Sequence, residues 1–491
     1  MPAQRVLMIA HDFPPAGGSG SNRALAFARY LPECGWEPTV VTPGEAWAAN
    51  RDDRLLDELP TGVRVIRTRS FEPRPSRAPV PSGVSPARPP GPLRANLGHL
   101  KRFPDAHLGW LPFALAAARR VDYDVAYTSS GPFTSHVVGL LLKRLSRRPW
   151  VVELRDGWYR WNRAIFPDYP RWRDTLERRL EAAALKNADR VVLVTDRMAN
   201  AFRGQYDRSL PAEHFAVVPN GFDRAQFPEL APGPPGDGFG VLHAGALYYG
   251  RSLSAVLEAA RRLVSTVPAF ARKFSLTLLG TLDPGARAEL ERSGLADRIR
   301  YRGQLEHAST IQAMRAADVL LLVANTTPGA EATVPGKLFE YMAVGRPVLA
   351  IAPPDSSTAD VLNQTGIGWL APSGDPAAIA SALLRVFEAH EAAIAPDRGA
   401  RTHKAPAVVR PVIQASEANA FLQPSQVQEA ADVREALGGA HGSLVEPSRP
   451  DGDEAFGARA PHQVARFDRR LLTRDLASIF DQASQGAARS D

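Results

Sequence analysis

A lysine and a glutamate stand three residues apart in the segment Pro335-Gly336-Lys337-Leu338-Phe339-Glu340-Tyr341-Met342-Ala343-Val344-Gly345-Arg346-Pro347, which runs on into Val348-Leu349-Ala350-Ile351. On a helix, residues three apart share one face, so Lys337 and Glu340 would sit together near its positive N-terminal end. Pro335 suits the first helical turn, where a missing N–H has no intrahelical partner to lose. Leu338, Tyr341 and Met342 supply an apolar stripe, and Gly345 fits the helix C-terminus. A helix start that displays charge beside a buried parallel strand is where α/β folds bind phosphorylated ligands. The competing reading is a solvated surface Lys–Glu pair.

Other segments offer chemistry of the same kind. His11-Asp12-Phe13-Pro14-Pro15-Ala16-Gly17-Gly18-Ser19-Gly20 follows an apolar run and precedes a helical pattern. Gly17 and Gly18 would let backbone N–H groups approach a phosphate or a sugar closely. The loop is neither a GxGxxG fingerprint nor a Walker loop. Glu153-Leu154-Arg155-Asp156-Gly157-Trp158 ends another apolar run, and strand C-termini in a doubly wound sheet face the ligand crevice. Arg155 and Asp156 are therefore candidates for binding and catalysis, with mutual pairing as the alternative. His136 reads equally as a polar cleft residue or as a helix-face histidine packed on the sheet. Gly245 ends the first strand of the second half, and Arg251 follows it. There is no DxD-type metal motif after a strand and no His-rich ligand cluster in sequence, so no metal is expected.

The elements that must position these residues alternate. Apolar runs at Val6–Ala10, Thr39–Thr42, Val63–Thr68, Val125–Ser129, Trp150–Leu154, Val191–Thr195 and Ala216–Pro219 are separated by helical patterns at Asn22–Glu33, Leu111–Arg119, Ser135–Leu145 and Trp172–Lys186. A second series comprises Val241–Ala244, Ser275–Leu279, Arg298–Tyr301, Val319–Val323, Pro347–Ile351 and Gly368–Ala371. Strand–helix alternation predicts parallel, doubly wound sheets. The junction falls near Asn220-Gly221-Phe222-Asp223, before the Pro/Gly-rich Pro228–Gly240. Glu72–Pro92 is proline-rich and reads as an extended surface loop. Residues 391–463 lose periodicity and read as a disordered insertion with one candidate helix at Gln426–Ala436. The last pattern, Phe467–Ala483, spaces Leu471, Leu472, Leu476, Ile479 and Phe480 helically.

At 491 residues, more than one core is expected. Hydrophobic content of 44% and charged content of 23% are ordinary for a globular protein. No apolar run reaches the roughly 20 residues that span a bilayer, and the N-terminus lacks a signal-peptide pattern. The single cysteine, Cys34, excludes an internal disulfide. A cytoplasmic location follows as the expectation. The net charge of +7 and pI near 9.7 favour anionic partners, although no nucleic-acid motif appears. Val137–Leu142 followed by Lys143-Arg144-Leu145-Ser146-Arg147-Arg148 could rest on an anionic membrane surface or pack in a core with a solvated basic end. The aromatics of Trp158–Trp172 suit sugar stacking or a membrane rim.

From Val6 to about Leu384, and again near Val464, the chain resembles the retaining glycosyltransferases of family 4. The P-x-K-x-x-E-Y-x-A-x-G-x-P string, the F-P-P-x-x-G-G opening and the Arg155-Asp156 segment carry the likeness, the last with Gly157 in place of a proline typical of a polysaccharide-building subgroup. Asp105–Trp110, Pro112-Phe113-Ala114 and Ser129–Pro132 match that subgroup as well. The resemblance implies the GT-B fold: two Rossmann-like domains facing a cleft, with a terminal helix crossing back to the first. Residues 1–220 would be the acceptor domain, 221–390 the nucleotide-sugar donor domain, 391–463 the insertion and 464–485 the crossover helix.

It implies transfer of a sugar from a nucleotide-diphosphate donor to a glycan, exopolysaccharide or glycolipid acceptor. No cofactor is implied beyond the donor itself. Arg251 and Lys337 would clamp the diphosphate, Glu340 would hold the ribose, and Gly17, Gly18, Arg155, Asp156, His136, Asn220 and Gly245 would line the site. The family usually has an arginine where Ala246 stands and a glutamate where Ala332 stands, with Glu331 one residue off register. The shared two-domain architecture keeps a nucleotide-sugar 2-epimerase open as an alternative, and those departures with the long insertion keep an inactive scaffold open.

Overall fold

The computed structural model of the chain describes residues 3–48, 50–72, 92–159, 163, 169–227, 237–247, 250–394 and 462–488. The proline-rich 73–91 stretch, most of the 391–463 insertion with its candidate helix, and the Trp161 and Phe166 aromatics lie outside the described residues. The chain forms two compact units, Met1–Asp223 with Phe467–Asp491, and Arg224–Arg466.

The first unit is built on seven parallel strands: β1 (Gln4–Ile9), β2 (Trp36–Pro43), β3 (Arg64–Thr68), β4 (Val125–Ser129), β5 (Trp150–Leu154), β6 (Arg190–Leu193) and β7 (Phe215–Val217). Their order is β3-β2-β1-β4-β5-β6-β7. The chain steps outward from β1 to β3 and then returns to β4, so the strand order reverses between β1 and β4, the switch point where such sheets bind ligands. β5 is buried along its whole length, as parallel strands covered on both faces must be.

Three helices of this unit matter below: α1 (Ser19–Tyr30), α2 (Leu111–Ala118) and α3 (Thr134–Ser146). α3 buries Val138, Leu140 and Leu142 in the unit's own core. A Cβ on its Gly139 would lie 2.5 Å from the Trp150 indole, so only glycine allows that approach. Its basic end is satisfied locally, Lys143 Nζ reaching Asp189 at 2.7 Å, while Arg148 in the following loop reaches Asp122 at 2.7 Å. The apolar face read as a membrane candidate is thus interior packing.

The second unit has six parallel strands: β8 (Phe239–Ala244), β9 (Phe274–Leu279), β10 (Ile299–Tyr301), β11 (Val319–Val323), β12 (Val348–Ile351) and β13 (Gly368–Ala371), ordered β10-β9-β8-β11-β12-β13. Every strand read from the sequence overlaps one of these thirteen. Helix α4 (Gly336–Val344) joins β11 to β12. Pro335 stands one residue before it, as the N-cap, and Gly345 ends it at φ 75° with its N–H on the Tyr341 and Met342 carbonyls. That closure is the left-handed stop that glycine makes cheap.

The terminal helix α5 (Arg469–Ala488) packs on the first unit. Leu472, Leu476, Ile479, Phe480 and Ala483 are buried there, with Phe480 edge-on to Trp36 and Tyr127. Leu471, expected in the same stripe, is instead exposed. The Trp36 indole donates to Asp481 at 3.2 Å. Phe222 and Phe467 are joined by an N–H···O bond of 3.0 Å, and a Cβ on Gly221 would meet the Phe467 carbonyl at 2.1 Å. Among the described residues, no helix is long and apolar enough to cross a membrane.

Candidate functional site

In the second unit the functional side chains gather where β8 ends. Gly245 donates its N–H to Leu279 at 2.9 Å and turns the chain away from the sheet. Gly280 lies directly against it: at φ +114°, a Cβ there would be 2.1 Å from the Gly245 carbonyl. On the other side of Gly245 the Lys337 side chain passes, its Cγ 3.8 Å from where a Gly245 Cβ would stand. Arg251 returns from the loop to place Nη1 3.2 Å from the Ala246 carbonyl. Its neighbour Gly250, at φ +77°, packs against Asn325 and Thr327 after β11 and leaves no room for a side chain. Gly245, Arg251 and Lys337 are therefore brought together by three different segments.

A residue that the sequence reading passed over sits beneath them. His243 is buried, donates Nδ1–H to the Leu321 carbonyl at 2.9 Å, and leaves Nε2 without a hydrogen bond. Burial pushes its pKa down to about 4; the Leu321 bond opposes this, and the positive charges of Arg251 and Lys337 add to it. The imidazole is neutral at pH 7 and does not compete with the two cations for an anion. Its signal in the sequence was a histidine one residue before the alanine that ends a strand.

α4 is held to this edge by Tyr341. Its hydroxyl accepts from the Ala244 N–H at 2.9 Å and lies 3.3 Å from the Leu321 carbonyl. Lys337 Nζ meets Glu340 Oε2 at 2.6 Å, with both side chains about one-third exposed. The pair is neither fully solvated nor buried, so the structure joins the phosphate candidate to the ribose candidate. Glu331 is exposed on the short turn Ala330–Ala332, ahead of α4.

In the first unit a buried ion pair organises the C-terminal ends of the strands. Arg23 of α1 donates to Glu153 Oε1 from Nε at 3.0 Å and from Nη2 at 2.8 Å. It also reaches the Val218 and Pro219 carbonyls and, at 3.4 Å, the Asn220 side chain. Ser129 donates to the other Glu153 oxygen at 2.6 Å. Burial alone would raise the Glu153 carboxyl, but Arg23, Ser129 and Tyr127 together outweigh it and hold it below the usual range. The Arg23–Glu153 pair thus ties α1 to β5 and the chain after β7, and Ser129 adds β4. Neither partner was singled out in sequence, because 130 residues separate them.

Arg155 does not pair with Asp156 by hydrogen bond. Its guanidinium binds the Ser130 carbonyl through Nε at 2.8 Å and also through Nη2, and its backbone N–H takes the Ser130 hydroxyl at 2.8 Å. It lies so close to α1 that a Cβ on Gly20 would be 2.2 Å from Nη1. A cation against the first turn of a helix repels the positive end of the dipole, so the arrangement draws negative charge. α1 starts just after Gly18, with no acidic residue in its first turn. Gly17 donates to the Asn50 carbonyl at 3.0 Å, and a Cβ there would collide with that oxygen at 2.4 Å. Enclosure raises the Asp156 carboxyl, with Arg155 acting against the shift.

His136 is placed differently from the binding role given it. It is wholly buried on α3, 2.9 Å from the Thr128 hydroxyl and packed at 5.7 Å from the Trp158 ring. Thr128 also accepts from the Trp150 indole at 3.0 Å. Burial pushes this histidine down to about 3. The helix-face alternative is the one the packing realises.

Comparison with known proteins matches both units. The Glycosyl transferase 4-like domain matches residues 18–221, and the Glycosyl transferases group 1 domain matches residues 239–389. The 2-deoxystreptamine N-acetyl-D-glucosaminyltransferase of Streptomyces fradiae is 28% identical over 401 residues, covering 76% of this chain and 82% of that protein. Among solved structures, sucrose-phosphate synthase from Thermosynechococcus elongatus superposes with a TM-score of 0.56 at 17% identity, covering 98% of each chain. HepE of Anabaena, solved with UDP-glucose, superposes with a TM-score of 0.55 at 16% identity, covering 97% of this chain and 99% of that one. At those identities the likeness is one of fold: two Rossmann-like units of GT-B type.

Proposed function

The chain belongs to the glycosyltransferases that join a 4-like domain to a group 1 domain, and from that premise we propose that it moves a sugar, with retention of configuration, from a nucleoside diphosphate to an acceptor hydroxyl. The observation that carries this reading is the convergence of Arg251 and Lys337 on the Gly245 turn at the end of β8. Two fixed cations and the N-terminus of α4 are what a departing diphosphate needs, because charge accumulates on the leaving oxygen as the glycosidic bond breaks. Each charge-assisted contact is worth about 1.5–3 kcal/mol.

In this reading Lys337 exchanges part of its contact with Glu340 for the diphosphate, and Glu340 turns to the ribose. Gly245 lets the donor approach the backbone. Arg251 fills one of the family's two cation positions, Lys337 supplies the charge missing at Ala246, and Glu331 takes no part. The sugar left behind is oxocarbenium-like, and the acceptor attacks the same face. The donor step uses these side chains in place of a metal. The first unit takes the acceptor, a hydroxyl of a glycan, exopolysaccharide or glycolipid precursor. Gly17 and Gly18 offer backbone approach there, and Arg155, Asp156 and Asn220 offer polar contacts. Uridine is the first base to try, given the UDP-glucose held by HepE.

The test is a thermal-shift screen of UDP, GDP, ADP and their sugars on wild type, Arg251→Ala and Glu340→Ala. Stabilisation by one nucleotide that is lost in both variants supports the donor site. No stabilisation by any of them sinks it. The anomeric configuration of the product, read by NMR, decides retention.

A further inference from the structure

Three side chains of the first unit that take no part in the proposed transfer converge at the C-terminal ends of β1 and β3. His11 follows β1, Glu72 lies four residues beyond β3, and His107 precedes α2. One donor atom from each falls within 4.8 Å of the other two. His11 Nε2 is 3.5 Å from Glu72 Oε2, and His107 Nδ1 is 2.8 Å from the same oxygen. The two imidazoles are tilted against each other with centroids 4.2 Å apart. His11 and Glu72 side chains are 6% and 7% exposed, and His107 is 37% exposed.

The orientations of His11 and Glu72 are fixed from outside the cluster. His11 places Nδ1 3.3 Å from the Asp12 carboxylate, which leaves Nε2 facing inward, buried and without a hydrogen bond. The other Glu72 oxygen takes the Ser70 hydroxyl at 2.8 Å, and the Glu72 backbone carbonyl takes the Trp47 indole at 3.0 Å. Trp110 flanks His11 edge-on. Two imidazoles and a carboxylate, with His11 and Glu72 held by further hydrogen bonds from outside, are a donor set that suits a transition-metal site. A tetrahedral ion with bonds of about 2.0–2.1 Å sets its donor atoms about 3.3 Å apart, and the distances found here bracket that value. Mg²⁺ and Ca²⁺ prefer all-oxygen shells and are disfavoured.

We infer that His11, Glu72 and His107 form a binding site for one divalent transition-metal ion of zinc's class, with Asp12 orienting His11. The ion would clamp Glu72, after β3, to the end of β1 and to the loop before α2. Three protein ligands leave one position open for water or another oxygen donor.

The experiment uses the full chain stripped with a chelator and zinc alone as the probe. Bound metal is counted after equilibrium dialysis, and Co²⁺ is substituted to read its visible absorption. Wild type should retain one zinc per chain and give the intense visible bands of a four-coordinate cobalt site. Asp12→Asn, which leaves all three ligands in place, should weaken zinc by about 10- to 100-fold. His107→Ala and Glu72→Gln should weaken it further. Circular dichroism identifies a variant that fails to fold, in which case Asp12→Asn carries the decision. Failure of wild type to retain zinc overturns the inference, because the three side chains are then only a hydrogen-bonded triad. So does equal retention by wild type and His107→Ala, because the ion then sits elsewhere. Neither outcome bears on nucleotide binding by the second unit.

Discussion

Lys337 and Glu340 hold each other at 2.6 Å across one turn of α4, beside the Gly245 turn. A partly exposed pair three residues apart stabilises a helix by only about 0.2–0.5 kcal/mol, so stability alone gives little reason for it. We expect Lys337→Ala to weaken nucleoside diphosphate binding by about 10- to 100-fold, the equivalent of one charged contact. Glu340→Ala should weaken UDP while leaving inorganic pyrophosphate unchanged or slightly tighter. Calorimetric titration of both ligands checks this; equal losses of both ligands in Glu340→Ala would rule out the ribose role.

Ala246 stands where the family resemblance expects an arginine, and its carbonyl already receives Arg251. Ala246→Arg should add a third cation at the turn and tighten UDP by about tenfold, the effect of one contact at the lower end of its range. Competition binding against wild type measures it.

Gly280 faces the Gly245 carbonyl at a backbone angle that side chains rarely adopt. Gly280→Ala should cost at least about 2 kcal/mol from strain and collision together, and should weaken UDP because Gly245 must move. Gly204, within the helix Asp196–Tyr206 and open on its Cβ side, is the contrast. Gly204→Ala should be neutral or stabilise by up to about 1 kcal/mol. Urea unfolding of both variants gives the comparison.

Arg23 and Glu153 are both buried, with side chains 3% and 0% exposed. Removing one partner of such a pair strands a charge and typically costs about 3–5 kcal/mol. We expect Arg23→Ala to lose that much and Arg23→Ala with Glu153→Gln to recover part of it. A double mutant no more stable than the single one would show that the cost comes from the Val218 and Pro219 carbonyls instead.

His243 titrates near 4 in the folded chain against an ordinary value of 6.5. Between those values the unfolded chain binds more protons than the folded one, so stability rises with pH across the window. The contribution is complete above 6.5 and is lost as pH falls toward 4. His243→Asn, which keeps a donor for Leu321, should flatten the pH dependence of the second unit's unfolding over this window by close to one proton. An unchanged slope would show that the imidazole is not held neutral. His136, near 3, extends the same trend in the first unit.

The parallel sheets were legible because each strand is a short apolar run between turn residues, and burial on both faces leaves that mark whatever the partner strands. Val348–Ile351 and Trp150–Leu154 are examples. α4 was legible too, since its start, apolar stripe and glycine stop are local. The ends of α5 and the exposure of Leu471 were not, because helical spacing does not say which turn first meets the core. The choice between a core helix and a membrane-facing one at α3 was also open, for an apolar face looks the same in either setting.

The sequence by itself determined the alternation of elements, the glycine turns and the cations that suit a phosphate. All of these depend on residues within a few positions of one another. The tertiary structure alone decided which distant groups meet. Arg23 reaches Glu153, His243 lies beneath Arg251 and Lys337, and His11 joins Glu72 and His107. Parallel strand order is what brings the ends of β1, β3, β4 and β5 to one edge of a sheet. Sequence separation carries no trace of that closeness, so the contacts appear only once the chain is wound.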